Sequence, residues 1–371
     1  MKKLVYPHTT ISDNILPVNT LSDCSFNDHY IFLLTDDTGI MQHSKYSIPD
    51  PKHGYTTDDN ARALIMALML YGRYKKIKYL NLVFRYSSFL LNAQNQNGKF
   101  RNFMSYDRKW LEDEGSEDCL GRCIWALGYA LAFEHTPQGI KHGLRYMLKK
   151  ALPNVPEINS IRSKAYAIIG LTHIQSEKIK SMVCELSWSL IKQDEKYRND
   201  DWKWFEDIIA YCNFVLPWSL IEAYKVSGEK RFLDTALESL NFLTGKVFMH
   251  GYFKPVGCKG WLLKGKEPAE FDEQTVEACE GVLAYLAAYD ATGKDIYLDS
   301  AKKCHAWYEG VNSKGLSLID GNTGGCYDGL TEKGVNLNMG AESIVSYVIS
   351  RLKITEAKIH YGKQGSICLQ G

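Results

Sequence analysis

The chain has 371 residues and carries 44 Lys and Arg against 43 Asp and Glu, a formal net charge of +1. So even a balance excludes the broad basic footprint of a nucleic-acid binder and a polybasic membrane anchor. No low-complexity run, Pro/Ser-rich linker or block of like charge divides the sequence, so residues 1–371 are expected to form one domain.

At the N-terminus Lys2 and Lys3 precede a short apolar stretch, but polar residues across 7–14 interrupt it. Neither a secretory leader nor a membrane span is expected, and the chain reads as cytoplasmic. The 10 Cys include no CxxC pair, and Cys119, Cys123, Cys184 and Cys279 lie in apolar helical stretches. All ten are therefore expected as free thiols.

A repeat organises the rest. Residues 71–80 read YGRYKKIKYL, residues 224–233 YKVSGEKRFL and residues 289–298 YDATGKDIYL. In each, a Tyr leads a Leu by nine positions, and in the last two a Gly stands where one helix would end and the next begin. Extending the pattern predicts first helices near 22–34, 75–94, 138–151, 176–193, 229–244 and 295–310. It predicts second helices beginning near Asp58, Glu117, Ser160, Asp207, Glu273 and Asn336. The second set is apolar nearly all round, as in the ARALIMAL run after Asn60, so it is assigned to the inside and the first set to the outside. Six helix pairs stacked in sequence and closed bury every face and leave no exposed end, so the expected fold is an all-α (α/α)6 toroid of six hairpins; an open helical superhelix shares the local pattern, and the count of six favours closure. Glycine-bearing segments such as Thr38-Gly39-Ile40, Asn97-Gly98-Lys99-Phe100 and Ser313-Lys314-Gly315-Leu316 precede inner helices and read as short strand-turn excursions on one rim.

In such a ring the inner helices run one way, and their N-termini share a rim. There the chain presents Tyr55 with Asp58 and Asp59, then Glu117 and Asp118, then Glu206 and Asp207, then Asp272, Glu273 and Gln274, and finally Asn338 and Glu342. Helix capping explains one acid per helix. It does not explain adjacent acidic pairs, nor the tryptophans Trp110, Trp202, Trp204 and Trp261 in the same loops. Arg62 and Arg122 each follow an acid, Asp58 and Asp118, by four positions and are expected to reach back to it. Trp110, Trp204 and Trp261 are expected to converge on one cavity and stack on sugar rings, with Tyr211 also at the rim. No metal-ligand spacing and no cofactor motif occurs, so neither is expected.

These residues carry a resemblance. The segments HGYTTDDNARAL from His53, MSYDRKWL from Met104, GSED from Gly115, WFED from Trp204, FDEQ from Phe271 and GAES from Gly340 resemble the six-hairpin glycosidase superfamily of (α/α)6 toroids. More narrowly, the whole chain resembles a bacterial family associated with mannoside-processing and glycosyltransferase proteins. The resemblance implies sugar chemistry, an oligosaccharide partner (mannose-containing in the narrower case) and functional association with a glycosyltransferase. It supplies no activity, because the superfamily also holds epimerases and lyases.

From the residues themselves, glycoside hydrolysis needs two carboxyl groups flanking the scissile bond. Asp58, Asp59, Glu117, Asp118 and Asp207 are the candidates for that pair; Tyr55, Arg62, Trp110, Arg122, Trp204, Glu206, Tyr211, Trp261, Asp272, Glu273, Gln274, Asn338 and Glu342 are the candidates for binding. Four alternatives stay open. A sugar epimerase or isomerase would need a base beside a carbonyl, and a lyase could use Tyr55, Tyr211 or Arg162. A non-catalytic sugar-binding partner of a glycosyltransferase would tolerate loss of the acids. A phosphorylase would need Lys254, Lys259, Lys264 and Lys266 to form a basic pocket.

Overall fold

The computed structural model describes residues 26–367. It contains twelve α-helices among those residues: α1 (His29–Leu33), α2 (Thr57–Tyr74), α3 (Ile77–Ala93), α4 (Glu117–Ala132), α5 (Gln138–Ala151), α6 (Ile161–Thr172), α7 (Glu177–Tyr197), α8 (Val215–Ser227), α9 (Lys230–Val247), α10 (Thr275–Thr292), α11 (Asp295–Ala306) and α12 (Ala341–Ile367). Residues 22–25 of the expected first helix lie outside the described residues.

The even-numbered helices form the inner ring. In α2, residues from Thr57 to Leu70 are buried with the single exception of Asp58, and α4, α6, α8 and α10 are buried to a similar degree. Their packing runs α2, α4, α6, α8, α10, α12 and back to α2, so the ring closes. The outer helices α3, α5, α7, α9 and α11 each pack chiefly on the inner helix that precedes them. The tight turns that join these pairs use left-handed residues at the end of the inner helix: Lys75, Gly228 and Gly293. These are the positions at which the Tyr–Leu repeat breaks.

Contacts between helix starts establish that the inner helices are parallel. Arg62 of α2 meets Glu342 of α12, Asp118 of α4 meets Ser163 of α6, and Asn213 just before α8 meets Glu277 of α10. Glycines set the closest approach, between α4 and α6. A Cβ on Gly128 would lie 1.9 Å from the carbonyl oxygen of Gly170, and one on Gly170 would lie 2.3 Å from that of Ile124. No larger residue fits that seam.

Four two-stranded antiparallel ribbons stand on the rim: β1 (Ser44–Lys45) with β2 (Ile48–Pro49), β3 (Tyr55–Thr56) with β4 (Phe103–Met104), β5 (Ile208–Ile209) with β6 (Leu262–Leu263), and β7 (Leu330–Thr331) with β8 (Gly334–Val335). They account for two departures from expectation. Inner helix α8 begins at Val215 and not at Asp207, because pairing of Ile208 and Ile209 with Leu263 and Leu262 draws that stretch out of the helix. Inner helix α12 begins at Ala341 and not at Asn336. The β7–β8 hairpin holds the chain extended until Asp328 accepts from the Gly340 N–H at 2.6 Å and the Ser343 hydroxyl at 2.7 Å.

Eight free cysteines are described, six of them buried; Cys24 and Cys368 lie outside the described residues. Among the described residues no helix is long and apolar enough to cross a membrane.

Candidate functional site

A chain of charged groups runs along the rim from α12 to the loop before α8. Arg62, buried one turn inside α2, donates to Glu342 at 3.0 Å and to Asp59 at 2.7 Å. Arg122, at the same depth on α4, donates to Asp58 at 2.9 Å and lies 5.0 Å from the ring centre of Tyr166. Arg162 on α6 pairs with Glu206 at 2.8 Å, donates to the Tyr211 carbonyl at 2.5 Å and stacks on the Tyr211 ring.

The expected i,i+4 pairs therefore do not form. Arg62 takes Asp59 and Glu342 in place of Asp58, and Arg122 crosses to Asp58 in place of Asp118. The reason is reach. Packed helix axes lie about 8–10 Å apart, a gap a guanidinium can bridge, and the neighbouring helix offers a carboxylate at bonding distance.

Adjacent Asp58 and Asp59 thus occupy different electrostatic environments. Burial works against the charge on Asp58, but Arg122 and Arg62 outweigh it and hold its pKa below the usual 3.8. Burial and the neighbouring Asp58 charge push Asp59 up to about 7, with Arg62 only partly compensating. Thr56 also donates to Asp59.

Asp118 is ionised for another reason. Burial opposes its charge, but hydroxyls of Ser163 at 2.5 Å, Tyr211 at 2.7 Å and Ser160 at 3.0 Å all donate to it, and its pKa is lowered. Its neighbour Glu117 is occupied with the backbone N–H groups of Asn159 at 2.9 Å and Ser160 at 2.6 Å, at the N-terminus of α6.

Other candidates fall away from this chain of charges. Asp207 is 66 % exposed beside β5, with Lys264 as its partner at 3.7 Å. Asp272 pairs with Lys259 at 3.1 Å. Glu273 turns into the protein, accepting from the Trp307 indole at 2.7 Å and from Ser313. Asn338 accepts the Tyr46 N–H at 2.9 Å, Gln274 is the N-cap residue of α10, and Tyr55 donates to Asp36 at 2.5 Å.

The aromatic expectation needs correction. Trp204 is fully buried against Phe205, so its faces are already packed. Trp110 packs edge-on against Phe89 and under Arg101, and Trp261 sits in a separate loop with φ 58°. Tyr211, partly exposed and bonded to Asp118, is the aromatic group tied most directly to the rim acids.

Below the rim lies a second acidic layer that the helix starts did not disclose. Glu277 accepts from Asn213 at 3.1 Å, and Tyr166 donates to Glu280. Burial and the proximity of Glu280 raise Glu277 to about 8. Burial likewise raises Glu280 against the opposing effects of Tyr166 and Arg122. A signal for them existed: two acids three apart in the otherwise apolar run of α10 share a face.

Open space lies elsewhere. Two cavities, of about 370 and 590 Å³, open at the opposite mouth; Trp125, Trp218, Leu283 and Ile349 line the first, Phe133 and Leu352 the second, and Tyr129 both. The acids of the first, Glu222, Asp290 and Glu356, sit in ion pairs, Glu222 and Asp290 with Lys225 at 3.0 and 3.8 Å and Glu356 with Lys353 at 2.9 Å. Volume favours that mouth. The rim is nevertheless the better candidate for chemistry, because only there do adjacent carboxyls have pKa values driven apart. No metal-binding group of His, Cys, Asp and Glu occurs among the described residues.

No protein-family model and no curated protein matches the chain. Solved structures do. A sugar epimerase from a ruminal bacterium is 16% identical, covers 89% of this chain and 95% of its own, and superposes with a TM-score of 0.69. Cellobiose 2-epimerase from Bacillus thermoamylovorans is 12% identical over 87% of this chain and 95% of its own, with a TM-score of 0.69. A GH76 α-mannanase from Bacteroides thetaiotaomicron is 9% identical over 91% of this chain and 96% of its own, with a TM-score of 0.62. These neighbours are six-hairpin glycosidase superfamily enzymes, and this chain has the (α/α)6 toroid fold that they share.

Proposed function

We propose that the chain is a carbohydrate-active enzyme that hydrolyses a glycosidic bond of a neutral oligosaccharide at the inner-helix N-terminal rim. The observation that carries this reading is the opposite electrostatic state of two adjacent acids, Asp58 held ionised by Arg122 and Asp59 raised to about 7. Hydrolysis asks for one carboxylate and one carboxylic acid at neutral pH. In this reading Asp59 gives its proton to the glycosidic oxygen, and ionised Asp58 attacks the anomeric carbon or activates the water that does. Asp118 and Tyr211 hold substrate hydroxyls.

A neutral sugar is favoured because Arg62, Arg122 and Arg162 are each already paired with a carboxylate. The same accounting weakens phosphorolysis. Lys254, Lys259 and Lys264 pair with Glu270, Asp272 and Asp207 and form no free basic pocket.

One observation supports a second reading, epimerisation of a free sugar. His43 lies near Glu342 and Asp328, edge-on to His53 with ring centres 4.8 Å apart. Burial and His53 lower its pKa, so a neutral imidazole stands ready as a base.

The test is a screen of the purified chain against α- and β-linked manno- and gluco-oligosaccharides, read as new reducing ends, beside free cellobiose and mannose followed by NMR. Cleavage abolished in Asp58→Asn supports hydrolysis. Conversion of a free sugar without cleavage, lost in His43→Gln and kept in Asp58→Asn, replaces it with epimerisation.

A further inference from the structure

The even charge balance of the whole chain conceals an uneven distribution on its outside. Helices α3 and α5 pack side by side on the outer face of the ring. Neither contains an Asp or Glu, whereas α7, α9 and α11 each carry both signs. Lys75 and Lys76, in the turn before α3, and Arg145 and Lys149 on α5 are exposed. None of these four has a carboxylate partner among the described residues, while Lys78, on the flank of α3, pairs with Asp28 at 2.5 Å.

The same surface carries an apolar ridge. Ile77, Phe84 and Leu91 are 68%, 53% and 49% exposed. Their spacing of seven residues keeps them on one stripe of α3, about 21 Å long at 1.5 Å rise per residue. Lys75 and Lys76 lie over the Tyr71 and Tyr74 rings. Scattered exposed apolar residues are ordinary, but an aligned row beside cations that no carboxylate neutralises is not.

We propose that the α3–α5 face docks on an anionic lipid surface. Charge complementarity selects that occupant together with the ridge. The cations meet acidic headgroups, and Phe84 and Leu91 enter the boundary between headgroups and acyl chains. A nucleic acid would satisfy the cations but offers nothing to a row of Ile, Phe and Leu. The rim carboxylates lie on the inner helices, so this binding is independent of the proposed hydrolysis and stands or falls separately.

The experiment is co-sedimentation of the full chain with phosphatidylcholine vesicles containing about 30% phosphatidylserine, against pure phosphatidylcholine, at low salt and near 0.15 M. Binding to the acidic vesicles alone is expected, weaker at the higher salt. Two variants are compared, Arg145→Glu with Lys149→Glu, and Phe84→Ser with Leu91→Ser; all four side chains are exposed, so helical circular dichroism should be unchanged. Each pair should lower the bound fraction about tenfold. Failure of the native chain to bind acidic vesicles overturns the proposal, as does binding that survives the charge reversals. Heparin binding as tight as vesicle binding and indifferent to Phe84 and Leu91 would overturn it in favour of a soluble polyanion.

Discussion

At one mouth of the ring, Arg62, Arg122 and Arg162 tie Asp59, Asp58, Glu342 and Glu206 into a string that crosses from helix to helix. At the other mouth, Trp125 meets Trp218 edge-on with ring centres 5.5 Å apart; Glu222 and Glu356 pair within their own helices with Lys225 and Lys353, and the longer Lys225–Asp290 contact, 3.8 Å, crosses between helices. Both mouths are made from the same six helices, read from opposite ends. Pairs within a helix satisfy charge locally. At the rim, adjacent Asp58 and Asp59 draw on different guanidiniums, Arg122 of α4 and Arg62 of their own helix, and burial drives their protonation apart. Cavity volume and a buried string of opposed charges thus lie at opposite ends of one fold.

The comparison breaks most sharply on catalysis. Asp58→Asn should lower turnover of a cleaved glycoside by about a thousandfold with little change in binding, whereas Glu222→Gln at the far mouth should leave turnover within about threefold. Steady-state kinetics on one identified substrate checks both. A loss in Glu222→Gln equal to that in Asp58→Asn would move the active site to the far mouth.

Stability sharpens it next. Arg122→Leu leaves Asp58 charged and without its guanidinium partner at a buried position, and should cost about 3 kcal/mol in a urea titration. Lys353→Met at the far mouth removes half of a partly exposed pair and should cost under about 1 kcal/mol.

The third test is pH. Asp59 titrates near 7 in the folded chain and near 3.8 when unfolded, so between those values the native state binds the extra proton. Stability contributed by protonated Asp59 is thus complete below about 4 and declines as pH rises through 7. Asp58, with its folded value lowered, contributes the opposite slope, losing stability as pH falls below 3.8. Thermal unfolding of Asp59→Asn should lose the first slope, and hydrolysis by the native chain should fall above about pH 7.

The smallest effect concerns tryptophans. Trp204→Phe should destabilise by about 1–3 kcal/mol through lost packing and leave sugar-induced fluorescence changes intact. Tyr211→Phe should keep stability nearly unchanged and weaken sugar binding severalfold, since it removes the hydroxyl on Asp118. Equal effects of the two on binding would restore Trp204 to the site.

Much of this architecture was legible before any coordinates. The Tyr–Leu repeat marked the turns at Lys75, Gly228 and Gly293, and unbroken apolar runs marked the inner helices, because helix periodicity and C-caps are local properties of sequence. Adjacent acids likewise marked the rim at Asp58–Asp59 and Glu117–Asp118. The starts of α8 and α12 are not legible locally, because strand pairing with Leu262 and Leu263, and the Asp328 carboxylate on the Gly340 N–H, come from outside the helices they delay. Partnership was equally hidden. Whether Arg122 serves Asp118 four residues back or Asp58 on the next helix depends on how two helices lie together, and no window of sequence contains both. Sequence alone pointed to six apolar inner helices with acids at their starts, a local pattern that a closed ring shares with an open superhelix; the packing of α12 on α2 closes it. Only the tertiary structure decided which guanidinium each acid meets, which tryptophan is packed away and which mouth the open cavities occupy, because burial and charge pairing act through space between segments that the chain keeps apart.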